Sequence, residues 1–228
     1  MPTSAPTHFH IYCISGLAAD FGIFKKLQIS NATLHPIRWE IPEENDTLPT
    51  FAKKLATQIT HPNAILLGVS FGGMLATEIA AIQPLYKTII VSSCKHHNEL
   101  PTLIRWAAKL KLHRWIPYWL VTRSHILSRF LFDTRSKAEE LYLKRSMLQQ
   151  TDLRLMKRSV NMILGWQSDK TPANIIHIHG KQDRLLTAGH VSPNYWVEGG
   201  GHFMIWNMAN EISQLIEQEL QKEQGHIA

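Results

Sequence analysis

The sequence predicts an α/β protein: a mostly parallel sheet of about six strands with helices on both faces, interrupted by one inserted helical segment. Three observations lead there. Short β-rich apolar runs alternate with helical stretches through the first 93 residues, the pattern of a parallel sheet covered on both sides. The alternation stops near Glu99 and resumes only after Trp166. The apolar run from Ala64 to Met74 passes from strand to helix through Gly68, Val69, Ser70, Phe71 and Gly72, a serine bracketed by glycines on a sharp turn.

The first strand spans His8 to Ser15 and ends in Gly16, Leu17, Ala18, Ala19 and Asp20, with a helix following through Phe24 and Leu27. Ala32 to Trp39 reads as a second strand. Thr47 to Ile59 reads as a helix, with Asp46 or Thr47 as its cap and Pro49 in its first turn. Ile65 to Val69 is the third strand; Met74 to Gln83 then carries Leu75, Ile79 and Ile82 at helical spacing before Pro84 stops it. Lys87 to Ser93 is the fourth. Between residues 99 and 166 there is no convincing strand, and Leu103, Trp106, Ala107, Leu110, Ile126, Leu127, Phe130 and Leu131 fall near helical spacing. Strands resume at Asn174 to His179 and Asn194 to Glu198. An amphipathic helix bearing Ile212, Leu215, Ile216 and Leu220 closes the chain. The expected organisation is one core, residues 1–98 and 167–228, with an inserted helical cap at 99–166.

At 228 residues and 44% hydrophobic content the chain suits one globular domain. No run approaches the roughly 18 apolar residues of a membrane span. Met1 to His10 lacks the charged start and apolar middle of a secretory signal, so a soluble cytoplasmic protein is expected. Cys13 and Cys94 do not make a disulfide framework and are expected to be reduced and structural. The net charge of +6 is unevenly placed: residues 101–170 hold 14 Lys and Arg against 5 Asp and Glu, a balance of +9 that leaves the remaining 158 residues at −3. Zinc-finger spacing, RNP-like sequence and phosphate loops are all missing, so no nucleic-acid partner is expected.

The turn at Ser70 carries the chemistry. A serine on a tight strand-to-helix turn needs neighbours two before and two after without side chains, and Gly68 and Gly72 meet that need. The hydroxyl then stands at the end of the sheet with the first amides of the following helix beside it. Such a turn can also join strand to helix with no chemistry, so the rest of the chain decides. After the strand ending at His179 comes Gly180, Lys181, Gln182 and Asp183. After the last strand come Gly199, Gly200, Gly201, His202 and Phe203.

With these motifs the chain resembles the α/β-hydrolase superfamily over almost its whole length outside the inserted segment, in the family order nucleophile, acid, histidine. The resemblance implies a cofactor-independent serine hydrolase cleaving a carboxylic ester or thioester through an acyl-enzyme, with Ser70 as nucleophile, His202 as base and Asp183 as its orienting acid. It also implies an oxyanion hole from the amides of Leu17 and Phe71. The same three residues serve carbon–carbon hydrolases and lyases, and a binding or scaffold protein can keep the fold without activity. Two departures from the family pattern stand out: Ser15 precedes Gly16 where a histidine is common, and Thr187 stands four after the acid where proline is frequent.

Other histidines and acids compete for roles. His177 and His179 share one side of their strand and suggest a metal pair, but without a third spaced ligand they read as structural, and no metal is expected. His96, His97 and His190 read as loop or surface residues. Glu99, the rival acid, lies several residues beyond the fourth strand. The inserted segment contains Trp106, Trp115, Tyr118, Trp119, Phe130, Phe132 and Trp166, most of them expected to pack it onto the core and the rest to shape an apolar pocket. Its basic excess fits a solvated surface, an acidic carrier protein or CoA docking beside an acyl substrate, or anionic lipid.

Overall fold

The computed structural model describes residues 8–17, 19–109, 141, 152–169 and 171–225. Its centre is a six-stranded sheet of β1 (Phe9–Ile14), β2 (Ala32–Pro36), β3 (Ile65–Val69), β4 (Lys87–Val91), β5 (Ile175–Gly180) and β6 (Tyr195–Val197). The strands are all parallel, in the order β2-β1-β3-β4-β5-β6. Every residue of β3 and β4 is buried, as expected of central strands covered on both faces.

Alternation along β1 divides the interior in two. Tyr12 and Ile14 face a core closed by α1 (Leu48–Ala56) and α2 (Phe71–Ala80). Phe9, Ile11 and Cys13 face the other core, closed by Phe24 and by Ile212, Ile216 and Leu220 of the C-terminal helix Ala209–Gly225. The helix α1 starts where Thr47 and Thr50 cap each other's backbone amides, and it buries Leu48, Phe51, Ala52 and Leu55 on one face. Cys13 and Cys94 are buried free thiols, and burial pushes both up from the ordinary thiol range.

Some elements differ from the expectation. The helix through Phe24 and Leu27 is a single 3-10 turn, Phe21–Phe24, capped by Asp20, whose carboxylate accepts the Gly22 amide at 2.7 Å. That one turn already buries Ile23 and Phe24, and Gly22 within it weakens any longer helix. The second strand ends at Pro36, which has no N–H for the ladder, rather than at Trp39.

Of the inserted segment the structure describes its two ends, with α3 (Thr102–Lys109) and α4 (Leu153–Gly165), and the single residue Leu141 between them. Trp166 is buried and donates its indole N–H to Glu78 of α2 at 2.6 Å, whereas Trp106 is 57% exposed. The other expected aromatics, Trp115, Tyr118, Trp119, Phe130 and Phe132, lie outside the described residues, as does most of the basic excess. Two helices end the chain, α5 (Met204–Asn207), which the sequence pattern did not separate, and α6 (Ala209–Gly225). Among the described residues no helix is long and apolar enough to cross a membrane.

Candidate active site

Ser70 sits between the last residue of β3 and the first of α2, at φ 54° and ψ −122°. This is a torsion that costs an L-residue on the order of 1–3 kcal/mol. Neighbouring groups hold it there. The Ser70 amide donates to Val91 O at 3.0 Å, its carbonyl accepts the Gly73 amide at 2.9 Å, and the Ser93 hydroxyl donates to the same carbonyl at 2.7 Å. The flanking glycines are needed for space. A β-carbon on Gly68 would lie 2.4 Å from Gly72 O, and one on Gly72 would lie 2.3 Å from Ile14 O of β1.

Asp183 follows β5 and His202 follows β6. One carboxylate oxygen of Asp183 accepts the amides of Leu185 and Leu186, both at 2.9 Å, which fixes its plane. The other is 2.8 Å from His202 Nδ1. A carboxylate only accepts, so Nδ1 carries the proton, and Nε2 turns its lone pair to the Ser70 hydroxyl 2.9 Å away. The three side chains thus form one hydrogen-bonded line. Burial raises the affinity of Asp183 for a proton, but the facing imidazoles of His202 and His179 and the Leu186 amide outweigh it and hold the carboxyl below its ordinary range.

The rival acid is elsewhere. Glu99 accepts the amides of Lys95 at 2.7 Å and Ser192 at 3.2 Å and faces the Lys95 ammonium, bracing two loops. His177 and His179 bond to each other at 3.0 Å, and His179 Nε2 donates to Leu186 O at 2.7 Å. They support the Asp183 loop from beneath. His97 bonds Ser168 O and His190 bonds Thr102 and Thr187, so both tie loops together, and His96 leads into the 3-10 turn His97–Glu99.

Leu17 and Phe71 flank the serine. Phe71 is the first residue of α2, where an amide has no acceptor within its own helix. Leu17 follows Gly16, which passes so close to the serine that a β-carbon there would lie 3.3 Å from Ser70 Cβ. Ser15, standing where a histidine is common, donates its hydroxyl to Ala19 O at 2.7 Å and accepts the indole N–H of Trp39 at 2.8 Å. The Trp39 ring also lies parallel to that of Phe71, with centroids 5.6 Å apart and planes at 6°. One tryptophan therefore braces both the loop after β1 and the start of α2 beside Ser70. Sequence reasoning missed it, although Ser15 in place of a histidine was the signal that some other donor must order the loop.

A cavity of about 560 Å³ lies between α3 and α4, lined by Leu100, Ile104, Trp106, Leu164 and Trp166 among others. Neither Ser70, Asp183 nor His202 lines it.

No protein-family model matches the chain, and no curated protein matches it in sequence. Solved structures do. The enol-lactonase from Burkholderia xenovorans is 14% identical, with 95% of this chain and 92% of that chain covered at a TM-score of 0.71. A lipase-esterase related protein from Clostridium acetobutylicum is 13% identical, covering 94% of this chain and 96% of that one at 0.69. The type II thioesterase of the yersiniabactin pathway is 14% identical, covering 97% and 96% at 0.64. The protein has the α/β-hydrolase fold.

Proposed function

We propose that the protein is a serine hydrolase that cleaves a carboxylic ester or thioester through an acyl-enzyme. The observation that carries this reading is the continuous line from Asp183 through His202 to Ser70, at 2.8 and 2.9 Å, ending on a serine held at a strained turn. In the first half-reaction His202 Nε2 takes the hydroxyl proton as Ser70 Oγ attacks the acyl carbon. The carbonyl oxygen gains the displaced electron pair, and the amides of Leu17 and Phe71 receive it. On collapse the bond to the alcohol or thiol breaks and His202 returns the proton to the leaving group. Water then repeats the sequence on the acyl-enzyme, releasing the acid and restoring Ser70. Asp183 stays ionised throughout, holding the imidazole in its tautomer and offsetting its charge.

We propose further that the inserted segment, residues 99–166, selects the acyl group. The likeness in fold to proteins named as an enol-lactonase, esterases and a type II thioesterase supports a substrate of the ester or thioester class. The basic excess of the cap suits an acidic carrier protein or CoA bearing that acyl group.

The test is covalent labelling. Treated with a fluorophosphonate, the protein is expected to gain one adduct by intact mass, and Ser70→Ala, with an unchanged circular dichroism spectrum, is expected to gain none. An unlabelled wild-type protein would remove the hydrolase reading and leave a scaffold on the same fold.

A further inference from the structure

Toward the amino-terminal rim of the sheet, three imidazoles from separate parts of the chain meet: His10 of β1, His35 of β2 and His61 from the turn before β3. One ring nitrogen from each lies within 4.8 Å of the other two, and all three residues are half-buried. His10 Nδ1 and His35 Nε2 are 3.0 Å apart. The parallel register enforces the meeting. Tyr12 pairs with His35 across β1 and β2, and His10, two residues before Tyr12, projects from the same face of the sheet.

We propose that His10, His35 and His61 bind one zinc-class divalent ion through one nitrogen each, with the fourth position left to water. In a tetrahedral site with zinc–nitrogen bonds of about 2.0–2.1 Å, the ligand nitrogens stand roughly 3.3 Å apart. The separations here, from 3.0 Å to at most 4.8 Å, bracket that value. Three neutral imidazoles are also the donor set that such ions favour over magnesium or calcium.

The surroundings supply the outer support that a ligating histidine requires. Tyr12 Oη lies 2.6 Å from His61 Nδ1 and 2.9 Å from Thr60 Oγ1, and it accepts the Thr60 amide at 3.1 Å. One proton arrangement satisfies all of these. His61 Nδ1–H donates to the tyrosine oxygen and the tyrosine donates to Thr60 Oγ1, which leaves the lone pair of His61 Nε2 for the ion. The rings of His10 and His61 are stacked, with centroids 3.7 Å apart and planes at 11°. Lone pairs in parallel planes run side by side rather than converging. One ring must therefore turn when the ion enters, and His61, on a turn rather than a strand, pivots about its bond to Tyr12.

The site is separate from the chemistry at Ser70. Gly16 lies six residues along the chain from His10, which at roughly 3.3 Å per residue is about 20 Å. The ion would fasten the edge strand β2 and the β3 turn to β1, and it takes no part in acyl transfer.

The experiment uses the full-length protein, stripped with a chelator and then titrated with Zn²⁺ in competition with a chromophoric chelator. A parallel titration with Co²⁺ is followed in the visible. One ion per chain is expected, with intense tetrahedral Co²⁺ absorption and a higher Tm in Zn²⁺. His35→Ala and His61→Gln are each expected to lose the stoichiometric binding and the Tm rise while keeping the native circular dichroism. Tyr12→Phe is expected to keep the stoichiometry with affinity about 10–100-fold weaker. Should His35→Ala fail to fold, His61→Gln, altered only on a turn, decides the matter. No uptake by the wild type, or uptake unchanged in the histidine variants, overturns the proposal; the latter would place the ion among other members of the chain's 13 histidines.

Discussion

Trp39 works through two contacts that can be separated. Its indole N–H holds the Ser15 hydroxyl, and its ring lies against Phe71. Trp39→Phe keeps an aromatic ring on Phe71 and removes only the donor. Losing one neutral hydrogen bond of about 1 kcal/mol at the loop proposed to supply the Leu17 amide to the oxyanion is expected to lower kcat about fivefold and leave KM for a small ester unchanged. A rise in KM at constant kcat would place Trp39 in substrate binding instead. Ser70, Asp183 and His202 were legible because each stands in a glycine-marked turn directly after an apolar run, and those turns fall at the same rim once the strands align. Trp39 was not legible. Its partners come from the β1 loop and from α2, and nothing in the local sequence around residue 39 names either.

Among the elements, β5 carries a pH-dependent contribution to stability. His177 and His179 are fully buried on it, and because His179 Nε2–H donates to Leu186 O, its Nδ1 accepts the N–H of His177 Nε2. Burial pushes both imidazoles below their ordinary range; the neighbouring imidazole adds to the effect on His177, while Asp183 partly opposes it on His179. The unfolded chain takes up protons near pH 6.5 that the folded protein refuses. Stability is therefore full above about pH 6.5 and declines below it, by up to about 1.4 kcal/mol per pH unit for each group. Urea unfolding between pH 7 and 5 is expected to show that decline in the wild type and a shallower one in His177→Asn. Equal slopes would mean the acid sensitivity arises elsewhere. The helices α1 and α6 were readable from apolar spacing, since each buries one long stripe, and α1 also from its Thr47 cap; α2 is buried all round from Phe71 to Ile79, and it was the glycine-bracketed turn before it and Pro84 after it that marked its ends. The turn at Phe21–Phe24 was not, because two adjacent buried residues produce the same apolar signal whether the backbone makes one tight turn or several wide ones.

For the molecule as a whole, the alternation of strands and helices makes the architecture readable from the sequence. What it could not give was the gathering of side chains from distant segments at each rim, which exists only once the strands are laid side by side. Charge is likewise a property of the whole: +9 over residues 101–170 against −3 over the remainder. Exposed charges act over about a Debye length, roughly 8 Å at physiological ionic strength. If the basic segment draws in an acidic acyl carrier, turnover of a carrier-linked thioester should fall steeply from 50 to 300 mM NaCl while turnover of a neutral short ester hardly changes. Matching salt responses would remove the carrier from the reading. The six strands all run in one sense, which gives the molecule a head and a tail. One hydroxyl, one imidazole and one carboxyl group meet at the head, where tenths of an ångström count, whereas the tail answers to no such tolerance. A tether fastened at the tail would therefore leave those groups undisturbed and facing away from the support.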